Sequence, residues 1–263
     1  MAAARPPKCV RLANALNPSD ITAFILTRDE ERDLPRAISS LPHGVSILVL
    51  DALSTDHTVA YAIAAGARVI ERRWTDFVDA RRYALAQIHT PWTLMLDADE
   101  ELDDRLRDAI VAASGDADGY VMRRTTYYRG KRMRMWSDEP LLRLVRTNAA
   151  RIDDATLHER LACSGTVGEL AGTLLHYSYP DARSYREKFA RYTAIEALAQ
   201  RADPLRWIGE SALVPPRFAN NLLRRGALLD GPRGWYVAWY SALYPATVAA
   251  KALRQTWSDR KRS

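Results

Sequence analysis

WTLMLDADEEL, residues 92–102, runs from five mostly apolar residues straight into a block of carboxylates. The apolar run is too short for a helix and suits a strand buried on both faces. Its acidic sequel admits two readings. Asp97 and Asp99, with only Ala98 between them, can be aimed into one crevice by a turn, where two hard oxygen donors suit Mg2+ or Mn2+. Alternatively the acids simply open a helix, whose N-terminus favours negative charge. Glu101, Asp103 and Asp104 fit the helix start, Glu100 fits neither reading, and for Asp97 and Asp99 both stay open.

Upstream, ITAFIL (21–26), VSILVL (45–50) and ARVIE (67–71) have the same strand character, and helical patterns fill 31–41, 56–65, 76–87 and 103–113. Such alternation predicts an α/β fold with a mostly parallel central sheet and flanking helices. Ser54 or Thr55 is the expected cap of the second helix, and Gly66 its end. After Gly119 the alternation stops, and GYVMRRTTYY, PLLRLVR and ELAGTLLHYSY read as strands of a mixed or antiparallel portion. From Ser184 the chain turns helical, with Tyr185, Phe189, Tyr192, Ile195 and Ala199 expected on one face. This divides the chain into an N-terminal segment (1–20), a main domain (21–180) and a helical C-terminal extension (181–263).

Ligands of open parallel sheets bind beyond the carboxyl ends of the strands. TRDEE, DALSTD and DADEE all follow such ends, so three acidic or polar clusters are expected at one crevice.

Apolar residues make up 48% of the 263 and charged residues 27%, as in ordinary globular proteins. Two cysteines, Cys9 and Cys163, form no CxxC pattern, and the first twenty residues lack the apolar core of a secretory signal, so a reduced, cytoplasmic setting is expected. From residue 201 onward there are eleven Lys and Arg against four Asp and Glu, a surplus of seven that exceeds the whole chain's net +6. A core without positive excess argues against nucleic acid as a partner beyond any nucleotide in a small ligand.

Two segments point to the remaining partners. RRTTYYRGKRMRMWSDEPLLRLVR (123–146) interleaves eight basic residues with Tyr127, Tyr128 and Trp136. Such a surface can stack single-stranded nucleic acid or, equally well, clamp an acidic saccharide through arginine. GWYVAWYSALYPATVAA (234–250) carries no charge and is followed by Lys251 and Arg254. It is short for a spanning helix; it either lies in a membrane interface or packs on the main domain.

Taken in order, ITAFILTRDEERDLPRAISSL, ILVLDALSTDHTVAYAIAAGARVIERRW, DFVDARRYAL and WTLMLDADEEL resemble the nucleotide-sugar domain of family 2 glycosyltransferases of the GT-A fold. The likeness runs over 21–110. HER at His158, LLHYSY at Leu174 and GALLDGPRG at Gly226 look like the subgroup that transfers glucose in lipopolysaccharide core assembly. The resemblance implies an inverting, metal-dependent enzyme that moves a hexose from a UDP-sugar to a lipopolysaccharide-core or related acidic acceptor, peripheral on the inner membrane.

It also implies roles. Asp51 would read the uracil; Thr27 and Glu30 would line the nucleoside pocket together with Asp29, which stands where the family usually has Asn. Arg81 would face the donor, followed by Arg82 in place of Asn. Asp97 and Asp99 become the DxD pair, with Asp99 on the metal and Asp97 shared between metal-bound water and ribose. His176 would complete the metal shell, although a hydrogen-bonded core histidine explains it as well. Glu159 would be the general base, against the plainer reading of a surface ion pair with Arg160. Two rivals remain: a sugar nucleotidyltransferase, disfavoured because TRDEERDL lacks a glycine-rich phosphate loop, and a non-catalytic membrane- or RNA-binding module with a vestigial pocket.

Overall fold

The computed structural model describes residues 15–74, 76–153 and 160–260, with side chains as far as 255. The first half alternates strand and helix: β1 (Ile21–Thr27), α1 (Leu34–Ser39), β2 (Ser46–Asp51), α2 (Thr58–Ala64), β3 (Arg68–Glu71), α3 (Phe77–Ala86) and β4 (Trp92–Met95). These strands lie parallel in the order β3-β2-β1-β4. β5 (Glu100–Leu102), α4 (Asp104–Ala112), β6 (Gly119–Tyr128), β7 (Lys131–Arg132), β8 (Glu139–Arg146), β9 (Ala150–Asp153), β10 (Arg160–Cys163) and β11 (Val167–Tyr179) follow. The sheet continues β4-β8-β6-β11-β5, in which β6 and β11 are parallel and the other pairs antiparallel. The fold is α/β with the expected mixed portion completing the sheet, and β9 and β10 form a separate hairpin.

Strand side chains alternate between the two faces. Ile21, Ala23, Ile25, Val49 and Leu94 pack with Leu34 of α1, Ala62 of α2 and Leu106 of α4. Their neighbours Phe24, Leu48, Leu50 and Met95 pack on the opposite side with Ala80 and Ala84 of α3. Helices on both faces leave the strand ends as the natural route to a ligand.

Two local expectations change. Glu100–Leu102 is a short strand on β11 rather than a helix start, because Glu100 is drawn inward by buried arginines; Asp103 then caps α4, accepting from the Leu106 N–H at 2.7 Å. Neither Ser54 nor Thr55 caps α2. Asp56 accepts from the Thr58 N–H at 3.0 Å, while the Ser54 hydroxyl is committed to Asp51. Gly66 does take the left-handed conformation after α2, at φ +80°.

Four helices close the chain: α5 (Ala182–Ala199), α6 (Pro204–Ala212), α7 (Val214–Leu223) and α8 (Gly231–Arg260). Tyr128, Met133 and Met135 share an apolar cluster with Tyr185, Leu222, Val237 and Ala238, so these helices are packed onto the β6 side of the sheet. On α5 the buried row is Tyr185, Thr193 and Ala197, whereas Tyr192 and Ile195 of the expected face are exposed. Thr193 can be buried because its hydroxyl donates to the Phe189 carbonyl at 2.7 Å. Within 234–250, Val237, Ala238, Ala242 and Ala249 are buried while Trp235 and Trp239 face outward. No helix among the described residues is long and apolar enough to cross a membrane.

Candidate active site

Asp51 ends β2 in register with Thr27 at the end of β1. Its fully buried carboxylate accepts from the Thr27 hydroxyl (2.8 Å), the Ser54 N–H (2.7 Å) and the Ser54 hydroxyl (2.5 Å). A carboxylate offers about four acceptor positions, so one remains for a ligand N–H. The loop after β1 is tied to the same corner: the Asp29 N–H donates to Ser54 and the Glu30 N–H to Thr58, each at 2.8 Å. Asp29 has φ +55°, a region tolerated best by Gly, Asn and Asp, and its side chain accepts from the Thr55 N–H at 2.7 Å. An Asn side-chain oxygen would make the same bond, which explains why aspartate can stand there.

Beyond β4 the chain turns sharply. The Glu100 N–H donates to the Asp97 carbonyl, and the Glu100 carboxylate accepts from the Asp97 N–H, both at 3.0 Å. Three arginines hold this turn. Arg81 of α3 donates to Asp97 Oδ1 (3.1 Å); buried Arg143 of β8 donates to Asp97 Oδ2 (2.9 Å) and Glu100 Oε1 (2.6 Å); Arg124 of β6 approaches Glu100 at 3.5 Å. Burial alone would raise the Asp97 carboxyl, but Arg143 and Arg81 outweigh it and hold it far below the usual carboxylate range.

Asp99 faces a different set of groups. His176 Nε2 on β11 lies 3.4 Å from Asp99 Oδ2, and Lys188 Nζ on α5 lies 3.7 Å from the same oxygen. Against the effect of burial, the histidine and then the lysine lower its pKa to about 2. Burial and then the Asp99 carboxylate push Glu30 up to about 7, which marks Glu30 as part of the same acidic corner. His176 Nδ1 and the Thr126 hydroxyl of β6 are 3.0 Å apart. Nε2–H facing the carboxylate makes the contact that lowers Asp99; with the proton on Nδ1 instead, Nε2 would offer its lone pair to a cation held between the two side chains. That pair fits a divalent cation, since one oxygen and one imidazole nitrogen leave room for phosphate oxygens and water. Asp97, enclosed by two guanidiniums, is better placed to accept from a hydroxyl or a bound water. Among the described residues no group of three or more His, Cys, Asp and Glu converges as a metal cage.

The structure thus brings Thr27, Asp51, Arg81, Asp97, Asp99, Glu30 and His176 to the carboxyl ends of β1, β2 and β4. Glu159 and His158 lie outside the described residues. Sequence reasoning missed Arg143, Glu100, Thr126 and Lys188. Arg143 had a signal, being a lone charge inside the apolar strand run PLLRLVR; Lys188, far away in sequence on an unremarkable polar turn of α5, had none. Several arginines of 123–146 are paired internally with carboxylates: Arg123 with Glu169, Arg124 with Glu139, Arg143 with Asp97 and Glu100, and Arg146 with Asp118. Arg129, Lys131, Arg132 and Arg134, around the β6–β7 turn, are exposed. Arg82 reaches the Ile152 carbonyl at 3.5 Å, bracing β9 in place of the usual asparagine.

A parallel sheet opening into an antiparallel half, with a DxD turn at the strand ends, defines the GT-A class of glycosyltransferases. The chain is similar in fold to the mannosyltransferase PcManGT of Pyrobaculum calidifontis, solved with GDP-Man and Mn2+ (12% identity, TM-score 0.51, covering 90% of this chain and 87% of that one). The model of glycosyl transferase family 2 matches residues 22–167, and the chain belongs to that family. It is 30% identical to the lipopolysaccharide core biosynthesis glycosyltransferase LpsC of Rhizobium meliloti, over 88% of this chain and 91% of the relative. An uncharacterized glycosyltransferase of Rickettsia felis is 40% identical over 38% of this chain and 37% of its own.

Proposed function

We propose that this family 2 glycosyltransferase is an inverting enzyme that moves a hexose, glucose in the first instance, from a UDP-sugar to a lipopolysaccharide-core or related acidic glycolipid acceptor at the inner face of a membrane. The observation that carries the reading is the meeting of Asp51, Arg81, Asp97 and Asp99 at the carboxyl ends of the central strands, with Asp99 and His176 3.4 Å apart. Asp51 reads the uracil N–H, Thr27 and Glu30 line the nucleoside, and Arg81 with Asp97 orients the ribose and sugar. Asp99 and His176 would hold Mn2+, or Mg2+ less readily because imidazole is a softer donor. Such a cation supplies neutralisation of the diphosphate as it leaves. The complex of PcManGT with GDP-Man and Mn2+ favours use of a divalent cation together with a nucleotide sugar.

In the transfer, the acceptor oxygen forms a bond to the anomeric carbon from the face opposite the diphosphate. The bond from that carbon to the diphosphate oxygen breaks, and UDP departs with the electron pair. Glu159 is the proposed group that takes the acceptor proton, a role that requires a general base within hydrogen-bond reach of the acceptor hydroxyl. The exposed basic turn around Lys131 suits the negative charge of a core saccharide.

Lys188 adds a cation beside Asp99, its ammonium fixed by the Ser178 carbonyl (3.0 Å) and hydroxyl (3.1 Å). Lys188→Met should weaken UDP binding about tenfold, the size of one charge-assisted contact, with Lys188→Arg restoring part of it in calorimetry. The reading as a whole is tested by a thermal-shift panel of UDP-sugars with Mn2+ or Mg2+. Only a ligand that binds the native state raises the melting temperature, so one donor should stand out. No shift with any UDP-sugar would overturn the UDP-donor assignment.

A further inference from the structure

α6 carries Leu205, Trp207 and Ile208 yet has no buried residue at all. Leu205 is 79% and Ile208 57% exposed, on the same side of the helix at i, i+3 spacing. On the neighbouring α8, Trp235 and Trp239 are 48% and 45% exposed, and each meets Phe218 of α7 edge-on. Between α6, α7 and α8 runs an open cleft of about 650 Å³, lined by Trp207, Phe218, Trp239 and Leu243 and reaching Lys251 and Arg254. Trp239 and Arg254 are fifteen residues apart on one helix, so the cleft follows α8 for roughly 22 Å toward its basic end.

Single exposed apolar residues are ordinary, but large aliphatic and indole side chains on three adjoining helices form a patch that water should not be left to cover. The charge around it indicates the occupant. Arg201, Arg206, Arg224 and Arg254 are exposed, within the region that holds the chain's entire positive surplus. In a two-fold contact the same patch serves on both subunits, so a second copy docked through this face would bring its basic residues onto the same basic patch. A bilayer bearing anionic headgroups satisfies both requirements: the indoles and leucines enter the interface and the arginines meet phosphate. With nine and ten residues, α6 and α7 are too short to span and suited to lie flat.

We propose that the outer face of α6, with Phe218 and the Trp235–Trp239 edge of α8, docks the protein onto a membrane surface rich in anionic phospholipid. This deepens the proposed reading by naming the surface that brings the enzyme to a glycolipid acceptor, although the docking itself does not require the UDP-donor assignment. Of the two readings of 234–250, each holds for one side of the helix: Val237, Ala238, Ala242 and Ala249 pack inward while Trp235 and Trp239 face outward, and the short α6 adds the most exposed residues of the surface. The Arg134 N–H donates to Asp230 at 2.9 Å, joining the exposed basic turn of the main sheet to this helical unit.

The test is co-sedimentation of the full chain with vesicles of phosphatidylcholine alone or with about one-third phosphatidylglycerol, comparing wild type with L205E/I208E. Both substituted positions lie far out in solvent, so circular dichroism and the melting temperature should be unchanged. Wild type should pellet with the anionic vesicles only and be released at about 0.5 M salt, and the double variant should bind at least about tenfold more weakly. The UDP-induced thermal shift, read in the same samples, should be equal in the two proteins. Its absence from both, with vesicle binding retained, would remove the donor assignment and leave the docking surface standing. Wild type remaining in the supernatant, or L205E/I208E pelleting equally well, would overturn the proposal. So would a wild-type dimer abolished by the double substitution in the absence of vesicle binding.

Discussion

Asp99→Ala should lower kcat/KM for sugar transfer by about three orders of magnitude or more, with the fold intact. A metal that neutralises a leaving diphosphate contributes several kcal/mol to the transition state, and each 1.4 kcal/mol or so is tenfold in rate. Asp99 is the carboxylate nearest both His176 and Lys188, so its loss removes the anionic half of the proposed metal site. Stability is spared because its neighbours have other anchors: His176 pairs with Thr126, and Lys188 with Ser178. The side chain is also partly exposed, so no closed cavity is created. Activity with the identified donor and acceptor, set beside a melting curve, checks both halves of the expectation. A fully active variant would sink the metal assignment.

Arg143→Met should act in the opposite way, through stability. Arg143 has 4% side-chain exposure and donates to Asp97 and to Glu100, whose side chain is 0% exposed. Removing one member of a buried ion pair typically costs about 3–5 kcal/mol, and the cost here falls toward the lower end because Asp97 keeps Arg81 and Glu100 keeps Arg124 at 3.5 Å. Against a total stability of about 5–15 kcal/mol, that is a large fraction. Adding Glu100→Gln should recover part of the loss, since the stranded charge is gone. A double-mutant cycle in urea measures that recovery as a coupling energy. Additive losses would mean that Arg143 and Glu100 do not act as a unit.

The contrast shows what the sequence could and could not convey. Strands β1, β2, β3 and β4 were legible because apolar, β-branched runs ended in turn chemistry, and in β1, β2 and β4 those runs reflect burial on both faces. The placement of Thr27, Asp51, Asp97 and Asp99 followed from a rule about strand ends. Glu100 was opaque because its role depends on Arg143 and Arg124, brought to it by antiparallel pairing of β8 with β4 and β6, which no local pattern encodes. Lys188 reaches Asp99 only because the C-terminal helices pack back on the sheet. On α5 the stripe of Tyr185 and Phe189 was legible from helical spacing, but the burial of Thr193 and Ala197 beside it depends on how α8 packs against the helix.

Asp97 and Asp99 of WTLMLDADEEL end with separate tasks. Asp97 is held between Arg81 and Arg143 and can orient a hydroxyl, while Asp99 opens toward His176 and is the proposed metal ligand. This division is tested most directly by calorimetric titration of UDP into wild type and Asp99→Ala, with and without Mn2+. Wild type should bind UDP at least about tenfold more tightly with Mn2+, and Asp99→Ala should show no such gain. Equal Mn2+ enhancement in the two proteins would contradict the assignment of Asp99 to the metal.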